Sequence, residues 1–169
     1  MKIVGVMVCI ISAYSMGIIL GAKISKRYYS LKIILKAILS VKGELMYNKV
    51  NLDEVFMKVA DRTAHPLSEF FYEVCEKMNE NAGSFEHIWK NAIDKLKNME
   101  LKSTDIDELL ALGNELGYLG VDMQTEYLDI YIMRIQEEIL FLKENKDKSI
   151  RLYKTLGILA GIMVSIVFV

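Results

Sequence analysis

The feature that most constrains this chain is its first apolar stretch: residues 3–22 contain no charged side chain. As a helix, which rises about 1.5 Å per residue, the run reaches roughly 30 Å, the thickness of a bilayer's hydrocarbon core. Lys23, Lys26 and Arg27 follow at once, against Lys2 alone on the other side. Positive charge gathers on the cytoplasmic side of a span, so residues 1–22 are predicted to form an N-terminal transmembrane helix whose continuation enters the cytoplasm. A cleaved signal peptide would need a small-residue cleavage site, and Gly21-Ala22-Lys23 is a poor one.

A second uncharged run, 155–169, follows Arg151 and Lys154. It falls short of the roughly 17 residues a spanning helix needs, unless Leu152 and Tyr153 extend it while Lys154 snorkels to the headgroups. A re-entrant helix and a tail buried against the first span are the other placements. Lys23, Lys26, Arg27, Arg151 and Lys154 all flank the inner side of these runs and are predicted to meet the membrane surface. The topology that results is a cytoplasmic domain, 23–154, hung at the cell membrane between an N-terminal helix and a C-terminal one, 155–169. Each anchor also carries glycines four apart, Gly17 with Gly21 and Gly157 with Gly161. Such pairs let a second helix approach closely, although glycine is also common in membrane helices generally.

Between the anchors the apolar residues keep helical spacing and no strand-like alternation competes. Leu31, Ile34, Leu35, Ile38, Leu39, Leu45 and Met46 extend the first helix to about Tyr47. Asn51 and Glu54 suit a capping box for a second helix, lined by Val55, Phe56, Val59 and Ala60. His65-Pro66 opens a third, burying Leu67, Phe70, Phe71, Val74 and Met78. Ser84 caps a fourth, lined by Phe85, Ile88, Trp89, Ala92, Ile93 and Leu96. Ser103 or Thr104 opens a fifth, with Ile106, Leu109, Leu110 and Leu116 inward and Gly117 as its C-terminal stop. A sixth starts near Val121, steps through Leu128, Ile132, Ile135, Ile139 and Leu142 in heptad fashion, and runs on toward the second anchor. The expected fold is all-α, a six-helix bundle between two membrane helices.

Charge is sorted along this bundle. Residues 23–43 carry basic side chains and no acid, whereas 103–133 carry acids and no base. Glu115, Asp122, Glu126 and Asp129 surround the turn between the fifth and sixth helices. They read either as a solvated surface or as a docking face for a basic partner. Overall the chain is nearly balanced, at a net charge of −1, which gives no reason to expect nucleic acid.

Catalytic patterns are missing. His65 and His87 lack a Glu three residues earlier and stand in no zinc-ligand spacing. Asp61, His65 and Glu69 are four apart, but Pro66 breaks the helix that would align them. No nucleophile elbow, phosphate loop or dinucleotide fingerprint occurs. Cys9 and Cys75 read as small buried hydrophobes. No enzyme activity, cofactor, metal or small-molecule substrate is expected.

Residues 39–47 (LSVKGELMY), 52–56 (LDEVF), and 112–117 (LGNELG) with Asp122 and Gln124 after them resemble the stage III sporulation protein AB family, as does 153–161 (YKTLGILAG). The likeness covers essentially the whole chain. More distantly, residues 30–140 resemble the cytoplasmic six-helix domain of type II secretion and type IV pilus platform proteins. The resemblance implies a scaffold in the mother-cell membrane, within the channel joining mother cell and forespore, where it docks a secretion-type ATPase and other channel subunits and can form homo-oligomers. True platform proteins carry two such domains and three membrane helices; here one domain lies between two anchors. A membrane-tethered adaptor or signalling bundle unrelated to secretion is the alternative reading of the residues themselves.

Overall fold

The computed structural model describes the backbone of residues 2–48, 51–118 and 121–168, and most side chains between 21 and 145. Among these residues the chain is all-helical, without a strand: α1 Lys2–Asn48, α2 Leu52–Arg62, α3 Leu67–Asn79, α4 Phe85–Ala92, a 3₁₀ segment Ile93–Asn98, α5 Ser103–Tyr118 and α6 Val121–Phe168. It divides into two compact units. One holds Met1–Tyr28 with Ile139–Val169, the other Tyr29–Glu138. α1 and α6 are each one unbroken helix, as expected for α6, where neither glycine nor proline interrupts the polar stretch 143–151 before the second apolar run. Among the described residues, no helix is long and apolar enough to cross a membrane. Most side chains of 3–22 and 155–169 lie outside that set.

The Tyr29–Glu138 unit is organised around aromatic rings. Phe56 of α2, Phe70 and Phe71 of α3 and Trp89 of α4 are all essentially inaccessible to solvent. Phe56 lies 5.6 Å from Phe71, 6.1 Å from Phe85 and 5.7 Å from Trp89, while Trp89 meets Phe70 edge-on at 4.8 Å. Offset and edge geometries of this kind favour ring pairs beyond the area they bury. The indole Nε1 donates to the Leu109 carbonyl of α5 at 2.8 Å, so the one polar atom of the cluster is satisfied. α1 contributes Leu31, Ile34, Ile38, Val41 and Leu45, all buried and spaced by three and four. Leu128, Ile132 and Ile135 of α6 are also buried.

Several local expectations change. Leu39 and Met46, expected inside, are about half exposed, because the buried seam of α1 follows 31, 34, 38, 41 and 45. Asn51 stands at the N-cap of α2 but makes no side-chain cap bond. Glu54 reaches forward to Lys58, 2.7 Å away, instead of back to the cap. Ser84 does cap α4, accepting from the His87 amide. α5 opens at Ser103, as expected, and the Asp105 carboxylate accepts from the Lys102 amide at 2.8 Å. Gly117 does not stop α5, which runs to Tyr118. It is instead a contact residue, since a Cβ there would lie 2.9 Å from Phe85 Cδ1.

Candidate interaction surface

The three residues best placed in sequence for a metal do not converge. Asp61 accepts a hydrogen bond from the Tyr72 hydroxyl at 2.6 Å, which holds that phenol's pKa above its usual value. His65 pairs separately with Glu69 at 3.1 Å. No group of three His, Cys, Asp or Glu among the described residues could hold a metal ion. Cys75 is buried and points its thiol at the Asp53 carbonyl, with burial raising its pKa above the ordinary thiol range. A thiol held protonated is a poor nucleophile.

Among the basic residues expected at the membrane surface, Lys23, Lys26 and Arg151 are exposed. Arg27 is not: only 6% of it is accessible. The Lys154 side chain lies outside the described residues, as do the surroundings of Gly17, Gly157 and Gly161; Gly21 is buried.

The acidic group splits in two. Asp129 is taken by Lys42 of α1, so part of the basic stretch and part of the acidic stretch neutralise one another across a helix seam. With Asp129 about half exposed, this pair contributes modestly. Alanine at either position is expected to cost at most about 1 kcal/mol, and exchanging the two charges should recover most of it. Urea melts of both single variants, both doubles and the parent, in low and high salt, measure this directly. A coupling above about 2 kcal/mol would show the pair to be structural in earnest.

Glu115 faces elsewhere. It is half-buried and lines a groove of about 380 Å³ between α5 and α6. Glu108, Leu112 and Glu115 come from α5, Tyr127, Tyr131 and Arg134 from α6, and Ala111 and Ile130 lie between them. Each wall is one helical stripe, with steps of three, four and seven residues. Burial pushes the Tyr131 phenol well above its ordinary pKa, and the Glu108 and Asp105 charges add to the shift. That ring is therefore a neutral wall. Glu126 is exposed on α6, the Asp122 side chain lies outside the described residues, and so does the turn at 119–120. No spacing rule would have selected Glu108, Tyr127, Tyr131 and Arg134. Their only signal is that two helices each carry polar groups on the stripe next to their apolar one.

At the end of α5, Gln124 Nε2 donates to the Leu116 carbonyl at 2.9 Å and is buried. The 112–117 segment is equally structural. A Cβ at Gly113 would lie 2.1 Å from Trp89 Cδ1, so this glycine exists to let α5 approach the indole.

Fold and surface together define a helical bundle carried by two long helices, whose converging charged groups face a groove between helices and not a metal or nucleophile. Comparison with known proteins then identifies the family. Residues 2–169 match the family model described as stage III sporulation protein AB, and the chain belongs to that family. It is 20% identical over 164 residues to the stage III sporulation protein AB of Bacillus subtilis (strain 168), covering 96% of both chains. A solved structure titled stage III sporulation protein AB (SpoIIIAB) superposes with a TM-score of 0.65 at 18% identity, over 73% of this chain and 98% of that one. The family is a sporulation family, not a known enzyme family.

Proposed function

We propose that this chain is a membrane-held platform subunit of the channel between mother cell and forespore, with its bundle in the mother-cell cytoplasm docking a secretion-type ATPase. The observation that carries the reading is the continuity of α1 and α6, 47 and 48 residues long, from the bundle into the two uncharged runs. Exposed Lys23, Lys26 and Arg151 at the inner ends of those runs fit an anionic membrane surface. On this reading the bundle corresponds to the cytoplasmic domain of type II secretion platform proteins, which residues 30–140 resemble in sequence. Exposed Glu126, with Asp122 a turn before it, suits encounter with a basic partner surface, an effect that weakens as salt rises.

Two measurements test this. A cysteine placed at Asn81, in the exposed loop after α3, should resist an impermeant thiol reagent in intact cells and react after lysis. Ready labelling of intact cells overturns the topology. Reversing Asp122 and Glu126 to Lys should leave the helical signal and melting unchanged within about 0.5 kcal/mol. Co-purification of the secretion-type ATPase from sporulating cells should fall severalfold, more at low salt than at high. Undiminished capture would remove the motor from this face.

A further inference from the structure

We propose that the groove between α5 and α6 is a receptor for an amphipathic helix of a partner protein that carries two basic side chains one heptad apart. This deepens the docking reading above by naming the partner's chemistry, and it rests on the chain being a docking subunit at all.

Glu108 and Glu115 stand seven residues apart on one stripe of α5, which places them about 10.5 Å apart along the helix axis. Two cations at positions i and i+7 of a docked helix match that separation. Between the carboxylates the floor is Ala111 and Leu112, with Ile130 opposite, so an apolar side chain at i+3 or i+4 has a place to sit. Both carboxylates are half-buried, yet neither makes a hydrogen bond or ion pair among the described residues. Arg134, on the facing wall, is exposed to solvent. The two carboxylates stand beside an apolar floor, where an arriving cation gives each an ion-pair partner. The rings of Tyr127 and Tyr131 supply faces against which a Lys or Arg stem packs. Met123, Ile130 and Met133 are exposed on α6, and flexible Met side chains adapt to a bound helix. The helix-in-groove mode reads such anchors at i, i+3, i+4 and i+7. A groove of about 380 Å³ is too small to swallow a helix, so the partner lies over it and inserts side chains.

The probe is a fluorescent, helix-stapled peptide with lysines seven residues apart and leucines between them. It is titrated into the full chain held in a neutral detergent, beside the same peptide with glutamates replacing the lysines. The parent chain should prefer the lysine peptide by at least about tenfold, and the preference should shrink with salt. Glu108→Lys with Glu115→Lys should abolish or invert it. Arg134→Glu adds a carboxylate on the other wall and should tighten the lysine peptide severalfold, a gain that a misfolded variant cannot give. Equal binding of the two peptides, or an unchanged preference in both variants, overturns the proposal, as does parent chain that only self-associates on sedimentation. Capture of the ATPase alongside failure of the peptide sinks the groove assignment alone. The reverse pattern, a bound peptide and no captured ATPase, sinks the motor reading and leaves the groove.

Discussion

Replacing Gly113 by alanine is expected to lower the unfolding free energy of the bundle by about 2–3 kcal/mol, the scale of an overpacked core. The added methyl would stand 2.1 Å from Trp89 Cδ1, 2.4 Å from Cγ and 2.5 Å from Nε1. Ordinary carbon contacts begin near about 3.5 Å, so the ring or the helix must retreat by more than about 1 Å. The ring cannot retreat cheaply. It is wholly buried, flanked by Phe56, Phe70 and Phe85, and tied by its Nε1 to the Leu109 carbonyl. If α5 retreats instead, buried Leu109, Leu112 and Leu116 lose contacts with it. Alanine's better helix propensity returns about 1 kcal/mol, which is already counted in the net figure. Two other glycines in helices calibrate the result. At Gly117 the nearest atom is Phe85 Cδ1 at 2.9 Å, and Phe85 is only half-buried, so alanine there should cost no more than about 1 kcal/mol. At Gly43 nothing lies within 4 Å of an added Cβ, and alanine should stabilise by about 0.5–1 kcal/mol. Urea unfolding followed by helical circular dichroism ranks the three. Equal shifts would mean the Trp89 approach is slack and the packing argument wrong.

Gly113 also marks where sequence reasoning reaches and where it stops. Periodicity locates each helix well, because a buried stripe repeats every three or four residues whatever it packs against. The aromatic positions Phe56, Phe70, Phe71 and Trp89 were legible as core for that reason. Periodicity does not say which neighbour a side chain finds. Glu54 looks like the second half of a capping box, yet Lys58 one turn on offers it a charge, and Lys58 itself approaches Glu44 of α1. Gly117 looks like a terminator because it ends an apolar run, but its role is set by Phe85 on another helix. Arg27 follows an apolar stretch like a headgroup anchor and is nevertheless buried. Of the acidic residues, Asp129 was assigned by its neighbours in sequence, whereas Lys42, 87 positions earlier, decides what it does. The groove walls were illegible for the same reason: Glu108 and Arg134 come to line one groove only once α5 and α6 pack side by side.

Phe56→Ala is expected to be the most destabilising change in the chain, at about 3–5 kcal/mol. Phe56 is the hub of the cluster, fully buried and in ring contact with Phe71, Phe85 and Trp89. Truncation removes the transfer energy of the ring and leaves a cavity whose walls, α2, α3 and α4, already pack on one another and cannot all collapse inward. Phe56→Leu keeps most of the volume and should cost roughly a third as much. Domains of this kind are stable by only about 5–15 kcal/mol, so the alanine variant has little left in the cell. Its unfolded fraction rises and its level falls as proteases remove it. Spore formation should then fail in proportion to protein level, unlike the surface reversals at Asp122 and Glu126, which should impair it at normal level. Quantitative blotting beside spore counts separates these cases, with urea midpoints fixing the stability scale at unchanged m value. Normal abundance of the Phe56→Ala chain together with lost sporulation would show that the aromatic cluster acts in partner binding and does more than hold the bundle together.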